Sequence, residues 1–131
     1  MAELRKNRPF EPSAATSSMF LYAQGSTIVC CNHDTLTVER CFSRHAEEVQ
    51  LLVVDNQSEH GRGKLVASYD AGMTAIVWDM STGDEMTRFV SFEPLTAATW
   101  MRNGNIAFGE SNSKRYPDIG IRTWPCCLRW F

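Results

Sequence analysis

The 131-residue chain has no apolar run approaching the roughly 18 residues that a membrane-spanning helix needs, so no membrane span is expected. A secretory leader is missing too. Arg5, Lys6 and Arg8 stand near the start, but Pro9, Glu11 and Pro12 follow where an apolar segment would have to come. Charge of one sign is also scarce. A formal net charge of −2 gives no electrostatic reason to expect nucleic acid or an anionic lipid surface as a partner. The five cysteines, at 30, 31, 41, 126 and 127, contain no C-x-x-C spacing and make no disulfide framework. Neighbouring residues of a strand point to opposite faces, so Cys30 and Cys31 are expected to act separately. All five are expected to be buried or half-buried free thiols. The compartment these absences leave is the cytoplasm, with the nucleus as the alternative.

Motifs for chemistry are thin as well. The stretch Gly61-Arg62-Gly63-Lys64 holds two glycines and a lysine, but neither a third glycine nor a Ser/Thr follows, so no phosphate cradle is expected. Cys41 with His45, or His33 with Cys31, would be metal pairs only if the fold brought them to one point; no metal or other cofactor is expected. Lys114 and Arg115 are a small basic group without interleaved aromatics. Near the C-terminus Trp124, Leu128, Trp130 and Phe131 keep no helical spacing, and Pro117 and Pro125 would interrupt a helix.

What is present is alternation broken by turn residues. Across residues 65–89, LVASYDAGMTAIVWDMSTGDEMTRF, three short apolar runs are separated by Asp70-Ala71-Gly72 and by Ser81-Thr82-Gly83-Asp84. Such residues tolerate tight reversals and positive φ, so the stretch predicts a three-stranded antiparallel meander. Its middle strand ends in Trp78-Asp79. The stretch resembles a blade of the WD-repeat β-propeller family, with Trp78-Asp79 and the Ser-Thr-Gly that follows as the most specific part of the match.

A second unit precedes it. Residues 18–23, 26–31 and 35–42 predict three more strands, with Gln24-Gly25 and Asn32-His33-Asp34 as turns, and with Leu36, Val38 and Arg40 alternating against Thr37, Glu39 and Cys41. Gly25 to Gly72 and Phe42 to Phe89 are both 47 residues apart, which puts Cys30 within a residue of Trp78's place. Residues 63–67 have an echo in residues 104–108, 41 residues on. These spacings lie near the ~40–45 residues of a four-stranded blade.

The continuous apolar run VQLLVV at 49–54 predicts a strand buried on both faces, with LTAATW at 95–100 as its counterpart. In the family resembled, these would be innermost strands, and the polar loop 55–63, with His60 and Arg62, would be exposed and mobile. Residues 1–17 carry two prolines and no periodicity, and read as a disordered leader. After Gly109 the pattern fails. An irregular, unrelated tail over 110–131 is expected there, with a divergent strand over 118–124 as the alternative.

Ser68, His45 and Asp70 have the residue types of a hydrolase triad. A nucleophilic serine, however, sits on an exposed elbow such as G-x-S-x-G, and Ser68 lies within V-A-S-Y-D without those glycines. The resemblance implies a different role, a structural tetrad of His45, Ser68, Asp70 and Trp78 that hydrogen-bonds the strands of one blade together. It also implies that loop residues such as Arg44, Glu47 and Met73 contact partner proteins. The fold expected is all-β, an incomplete WD40-type propeller of about two blades, with units at 18–42, 49–90 and 95–109. Rings of this kind need about four to eight blades, so the chain is expected to belong to a longer ring. The expected function is a protein–protein interaction scaffold without catalysis, with self-association through unpaired strand edges. The alternatives are a hydrolase using Ser68, His45 and Asp70, or part of a propeller enzyme whose site lies in other blades.

Overall fold

A computed structural model describes residues 11–59, 62–111 and 119–124, with the backbone alone for 111 and 119–124. The expected features at residues 1–10, at His60 and Gly61, at Lys114 and Arg115, and at Cys126, Cys127, Trp130 and Phe131 lie outside the described residues. Among those described there are eleven strands and no helix.

The strands form three antiparallel sheets, each built from consecutive segments. The first sheet has the order β1 (Ser13–Ala15), β2 (Met19–Gln24), β3 (Thr27–Asn32), β4 (Val38–Phe42). The second is β5 (Val49–Val54), β6 (Leu65–Asp70), β7 (Thr74–Asp79), β8 (Glu85–Val90). The third comprises β9 (Leu95–Trp100), β10 (Ile106–Ser111) and β11 (Ile119–Trp124). None of the three closes on itself. The edge strand β5 packs against both β1 and β9, so the three sheets sit side by side with their first strands adjacent.

The second sheet is therefore covered on both faces. On one, Val66, Ile76 and Trp78 join Leu21, Ile28 and Phe42 of the first sheet in a single core. On the other, Leu65, Ala67, Tyr69 and Val77 meet Trp100, Ile106 and Phe108 of the third sheet. Period-2 alternation in β6 and β7 is what allows this. Val66 pairs with Trp78 and Ala67 with Val77, so successive pairs feed opposite cores. Leu65, Val66, Trp78, Ile76 and Val77 are all buried.

Polar atoms tie the sheets at defined points. The Tyr69 hydroxyl accepts the Leu95 backbone N–H at 3.1 Å and lies 3.2 Å from the Ser91 hydroxyl. The Trp100 indole N–H donates to the Val53 carbonyl at 3.3 Å. At the outer rim of the first two sheets Arg40 donates to the Ser81 carbonyl at 3.0 Å. Its side chain lies over Gly83, where a Cβ would fall only 2.6 Å from the guanidinium.

Several expectations are corrected. The leader was expected to run to residue 17, yet β1 pairs with β2 from Ser13↔Tyr22 to Ala15↔Phe20 and makes the first sheet four-stranded. Thr16 explains the reversal: its Oγ1 accepts the N–H groups of Ser18 and Met19 at 3.2 and 2.9 Å. A strand of three residues carries too little alternation to be read. Nor does the tail begin at 110. β11 pairs with β10 over six consecutive positions, from Ile106↔Trp124 to Ser111↔Ile119, so the divergent strand is the correct alternative.

Leu36 does not belong to β4. The Asn32 side chain accepts from the N–H groups of Asp34 and Thr35, and Leu36 follows at φ 59° and 70 % exposed. The 41-residue echo also joins the wrong partners. Leu65 lies on the face of the second sheet that meets the third, whereas Ile106 faces back toward it. A one-residue slip exchanges the two faces of a strand, so Ile106 occupies the place of Val66, 40 residues earlier. In the expected exposed loop at 55–63, Asp55 and Ser58 are buried. One Asp55 carboxylate oxygen accepts the N–H groups of Gln57 and Ser58, both at 2.9 Å, and the other accepts the Ser58 hydroxyl. Finally, β9 is not buried on both faces: Leu95 and Trp100 are buried, while Thr96, Ala97 and Thr99 are exposed.

The Tyr69 contact yields a direct test. Tyr69→Phe keeps the ring but leaves the Leu95 N–H without its acceptor, at an expected cost of about 1–3 kcal/mol. Urea unfolding should show the loss, with faster hydrogen exchange at Leu95.

Candidate functional site

The one buried polar constellation that joins three or more side chains from distant positions lies, among the described residues, between the first and second sheets. β6 presents Ser68 on its Trp78-side face, one residue before Tyr69 turns to the opposite core. β7 brings Trp78 alongside, and the link from β4 to β5 lowers His45 onto both. Asp70 ends β6 at the turn into β7. His45 is 5 %, Ser68 1 %, Asp70 2 % and Trp78 0 % exposed.

The hydrogen bonds form a chain. His45 Nδ1 is 2.8 Å from Asp70 Oδ2, and His45 Nε2 is 2.6 Å from Ser68 Oγ. The Trp78 indole N–H donates to Ser68 Oγ at 3.2 Å. A carboxylate only accepts, so Nδ1 of the neutral ring carries the proton and Nε2 accepts from the serine hydroxyl. Every polar atom of the chain then has a partner. Burial holds the His45 pKa below its ordinary value, outweighing the hydrogen bond and charge of Asp70, which act the other way. The His45–Asp70 contact is thus a hydrogen bond donated by a neutral imidazole to the carboxylate.

The other Asp70 oxygen organises the turn beneath. It accepts from Gly72 N at 2.8 Å and Thr74 N at 3.2 Å, while the Asp70 carbonyl accepts from Met73 N. Met73 takes the left-handed conformation, φ 65°. A Cβ on Gly72 would stand 3.1 Å from Glu47 Cγ and 3.3 Å from Asp70 Oδ1, so a larger residue there would press on the link that carries His45.

Phe42 roofs the constellation. Its ring stacks on Trp78 with centroids 4.1 Å apart and planes 5° from parallel, and meets His45 edge-on at 6.3 Å. Sequence reasoning placed Phe42 in the repeat without assigning it this position; its place three residues before His45 was the available signal. Asp55 and Arg40 were passed over as loop and strand polars.

In chemical terms, Asp70–His45–Ser68 has the polarity of a hydrolase relay, carboxylate to imidazole to hydroxyl. Its serine oxygen is engaged by the Trp78 indole and enclosed, so no substrate carbonyl can stand at attacking distance in this conformation. The structure brings together all four residues of the expected tetrad.

The three residues expected to contact partners differ in exposure. Arg44 is exposed and reaches to 3.8 Å from Glu85. Arg88 holds the same carboxylate through two hydrogen bonds of 2.7 Å, and with Arg44 keeps the Glu85 pKa below its ordinary value. Glu47 is exposed beside Gly72, whereas Met73 is half-buried and packs against the core between the second and third sheets. The three described cysteines are free: Cys30 and Cys31 are buried, but Cys41 is exposed, contrary to expectation. Cys30 faces the second sheet, and burial pushes its thiol up to about 12. Neither Cys41 with His45 nor His33 with Cys31 is part of a cluster: among the described residues no three His, Cys, Asp or Glu side chains converge as a metal site would require.

No family model matches this sequence, and no curated protein does. Among solved structures, the "Crystal structure of the computationally designed Ika4 protein" superposes with a TM-score of 0.70 at 19% sequence identity. The match covers 89% of this chain and 66% of that chain, so this chain spans just under two thirds of its length. Identity that low makes it a likeness of fold alone.

Two outcomes follow from the geometry. Ser68→Ala strands the Trp78 N–H and removes the hydroxyl from His45, and should lower stability by about 1–3 kcal/mol in urea unfolding. Because His45 is neutral when folded, the unfolded chain takes up a proton below about pH 6.5 that the folded chain resists. Stability should therefore be flat above about pH 7 and fall on acidification, with a smaller slope in His45→Gln. A gain in stability between about pH 7 and 5.5 would contradict the neutral assignment.

Proposed function

We propose that the chain is a WD-repeat-like segment of a β-propeller that serves as a scaffold for contacts with other proteins. The observation that carries this reading is the use to which the Ser68–His45–Asp70 relay is put. It is capped by Trp78 and Phe42, lies between two sheets, and joins β6, β7 and the β4–β5 link. A buried relay of this kind supports a rigid unit, with the turns left to vary at the surface. The side-by-side sheets with adjacent first strands support the propeller reading, as do the 47-residue spacing and Trp78-Asp79. The three sheets would then be three blades of a ring, acting in the cytoplasm or nucleus.

The relay's hydrolase-like polarity is the specific observation in favour of the second reading, and one comparison separates the two. The wild-type chain and Ser68→Ala are assayed against a panel of activated esters and amides, with circular dichroism as the check on fold. In parallel, proteins co-purifying with the wild type from cells are compared with those retained by an Arg44→Glu, Glu47→Arg variant. The scaffold reading expects no hydrolysis, and loss of specific proteins from the charge-reversed variant at unchanged fold. Turnover that disappears in a folded Ser68→Ala chain would overturn it.

A further inference from the structure

Of all the serines and threonines in the sequence, only Ser81 and Thr82 have an acidic residue three positions on, Asp84 and Glu85 respectively. Thr82 has Asp84 two positions on as well. Both hydroxyls lie in the turn between β7 and β8, and both residues are exposed. The turn is closed from within: Gly83 N–H donates to the Asp79 carbonyl at 2.7 Å, and Asp79 N–H to the Asp84 carbonyl at 2.9 Å. The surroundings of the two hydroxyls differ. Ser81 Oγ donates to Asp79 Oδ1 at 2.6 Å, so a negative group built on it would face a carboxylate. Thr82 Oγ1 instead accepts, taking the Asp84 N–H at 3.2 Å.

Over this turn lies a cation from the neighbouring sheet. Arg40, on β4, is half-buried; its Nη2 donates to the Ser81 carbonyl at 3.0 Å, and its Nη1 lies 2.6 Å from where a Cβ on Gly83 would stand. The guanidinium therefore reaches the residue before Thr82 and the residue after it. Gly83 has no side chain, which is what allows so close an approach. None of the ion pairs among the described residues includes Arg40. Glu85, at the end of the turn, is taken by Arg88 and lies 3.8 Å from Arg44. An arginine fork has donors to spare after one bond to a carbonyl.

We propose that Thr82 is a phosphorylation site for an acidophilic serine/threonine kinase, and that Arg40 holds the phosphate it receives. The Thr82 oxygen attacks the γ-phosphorus of magnesium-bound ATP. The Oγ1–P bond forms, the bond from that phosphorus to the β–γ bridging oxygen breaks, ADP leaves, and the hydroxyl proton passes to the kinase's base. Asp84 and Glu85 supply the acidic side chains that such a kinase selects after its acceptor. The product brings a charge of about −2 and three acceptor oxygens to a place where the Asp84 N–H already donates and a guanidinium stands without a carboxylate. Charge-assisted bonds to phosphate suit the arginine fork. The Asp79 and Asp84 carboxylates act against the phosphate, so any gain in stability rests on Arg40. Because β4 and the β7–β8 turn belong to different sheets, the modification ties the first sheet to the second. Nothing in this depends on whether the chain is a scaffold or a hydrolase.

The test incubates the whole 131-residue chain with the purified catalytic subunit of an acidophilic serine/threonine kinase and magnesium-ATP. One phosphoryl group per chain is expected, mapped to Thr82 by fragmentation mass spectrometry, kept in Ser81→Ala and lost in Thr82→Val. In urea unfolding the phosphorylated wild type should have a higher midpoint than the unmodified chain. Arg40→Gln should take up phosphate equally well, but its midpoint should stay level or fall, since Asp79 and Asp84 then act unopposed. If Arg40→Gln does not fold, salt replaces it: the wild-type shift should shrink as sodium chloride rises, because an exposed ion pair is screened. Several results would overturn the proposal: no incorporation into the folded chain, phosphate on a residue other than Thr82, a midpoint that does not rise, or a rise that is the same in Arg40→Gln or indifferent to salt.

Discussion

The oxygen of Ser68 is the atom on which the centre of this molecule depends. It accepts the indole N–H of Trp78 and donates its own hydrogen to His45, whose other nitrogen donates to Asp70. Those four residues come from β6, β7 and the β4–β5 link, so one oxygen fixes the position of two neighbouring strands and of the chain that enters from the first sheet. Burying such groups is costly unless each finds a partner, and here each does. Satisfaction of this kind is geometrically demanding. It accepts one register of β6 against β7 and rejects the slipped ones, because a shift of one residue would turn Ser68 into the opposite, apolar core.

The same demand explains why the first sheet is bound to the second so specifically. Trp78 needs an apolar lid, and Phe42 of β4 supplies it by stacking. Phe42 is followed at once by Ser43 and Arg44 and then His45, so roof and relay are tied by a short piece of chain. Packing between the sheets and hydrogen bonding within the second sheet are therefore one cooperative unit.

Much of this was legible in the residues. Turn chemistry at Asp70-Ala71-Gly72 and alternation through Trp78 located the second sheet, and the residue types at 45, 68, 70 and 78 located the relay. What escaped reading did so for identifiable reasons. β1 is three residues long and owes its reversal to the Thr16 side chain, which leaves no periodic trace. β11 follows a link of seven residues where its counterparts β3 and β7 follow links of two and three, so it comes later than the repeat spacing leads one to expect, although Ile119, Ile121 and Thr123 alternate with Gly120 and Arg122. The 41-residue echo was a likeness of letters. Only the pairing of Ile106 with Trp100 and of Val66 with Val54 shows that equivalent side chains lie 40 apart. Asp55 looked like an ordinary loop carboxylate, and nothing in its neighbours signals that its oxygens close the turn on Gln57 and Ser58.

Burial on both faces is what sets the second sheet apart from its neighbours. β6 is buried at every position, whereas β9, of the same length and apolar at both ends, leaves Thr96, Ala97 and Thr99 exposed. The difference does not arise from local propensity, since both carry strand-forming β-branched and aromatic residues, Val66 and Tyr69 in β6 and Thr96, Thr99 and Trp100 in β9. It arises from position: among the described residues β6 has a sheet on either side, and β9 has one on one side only. Residue type reflects this. The covered sheet devotes large or hydrogen-bonding side chains to both of its faces, Trp78 and Ser68 on one and Tyr69 on the other. In the third sheet β9 and β10 keep Trp100 and Phe108 for the covered face and the small Ala97, Thr99, Ala107 and Gly109 for the other. Small residues let another sheet approach closely, while exposing little apolar surface to water when none is there. The relay, by contrast, is built where its groups are buried, between the first and second sheets, with His45 5 %, Ser68 1 % and Asp70 2 % exposed.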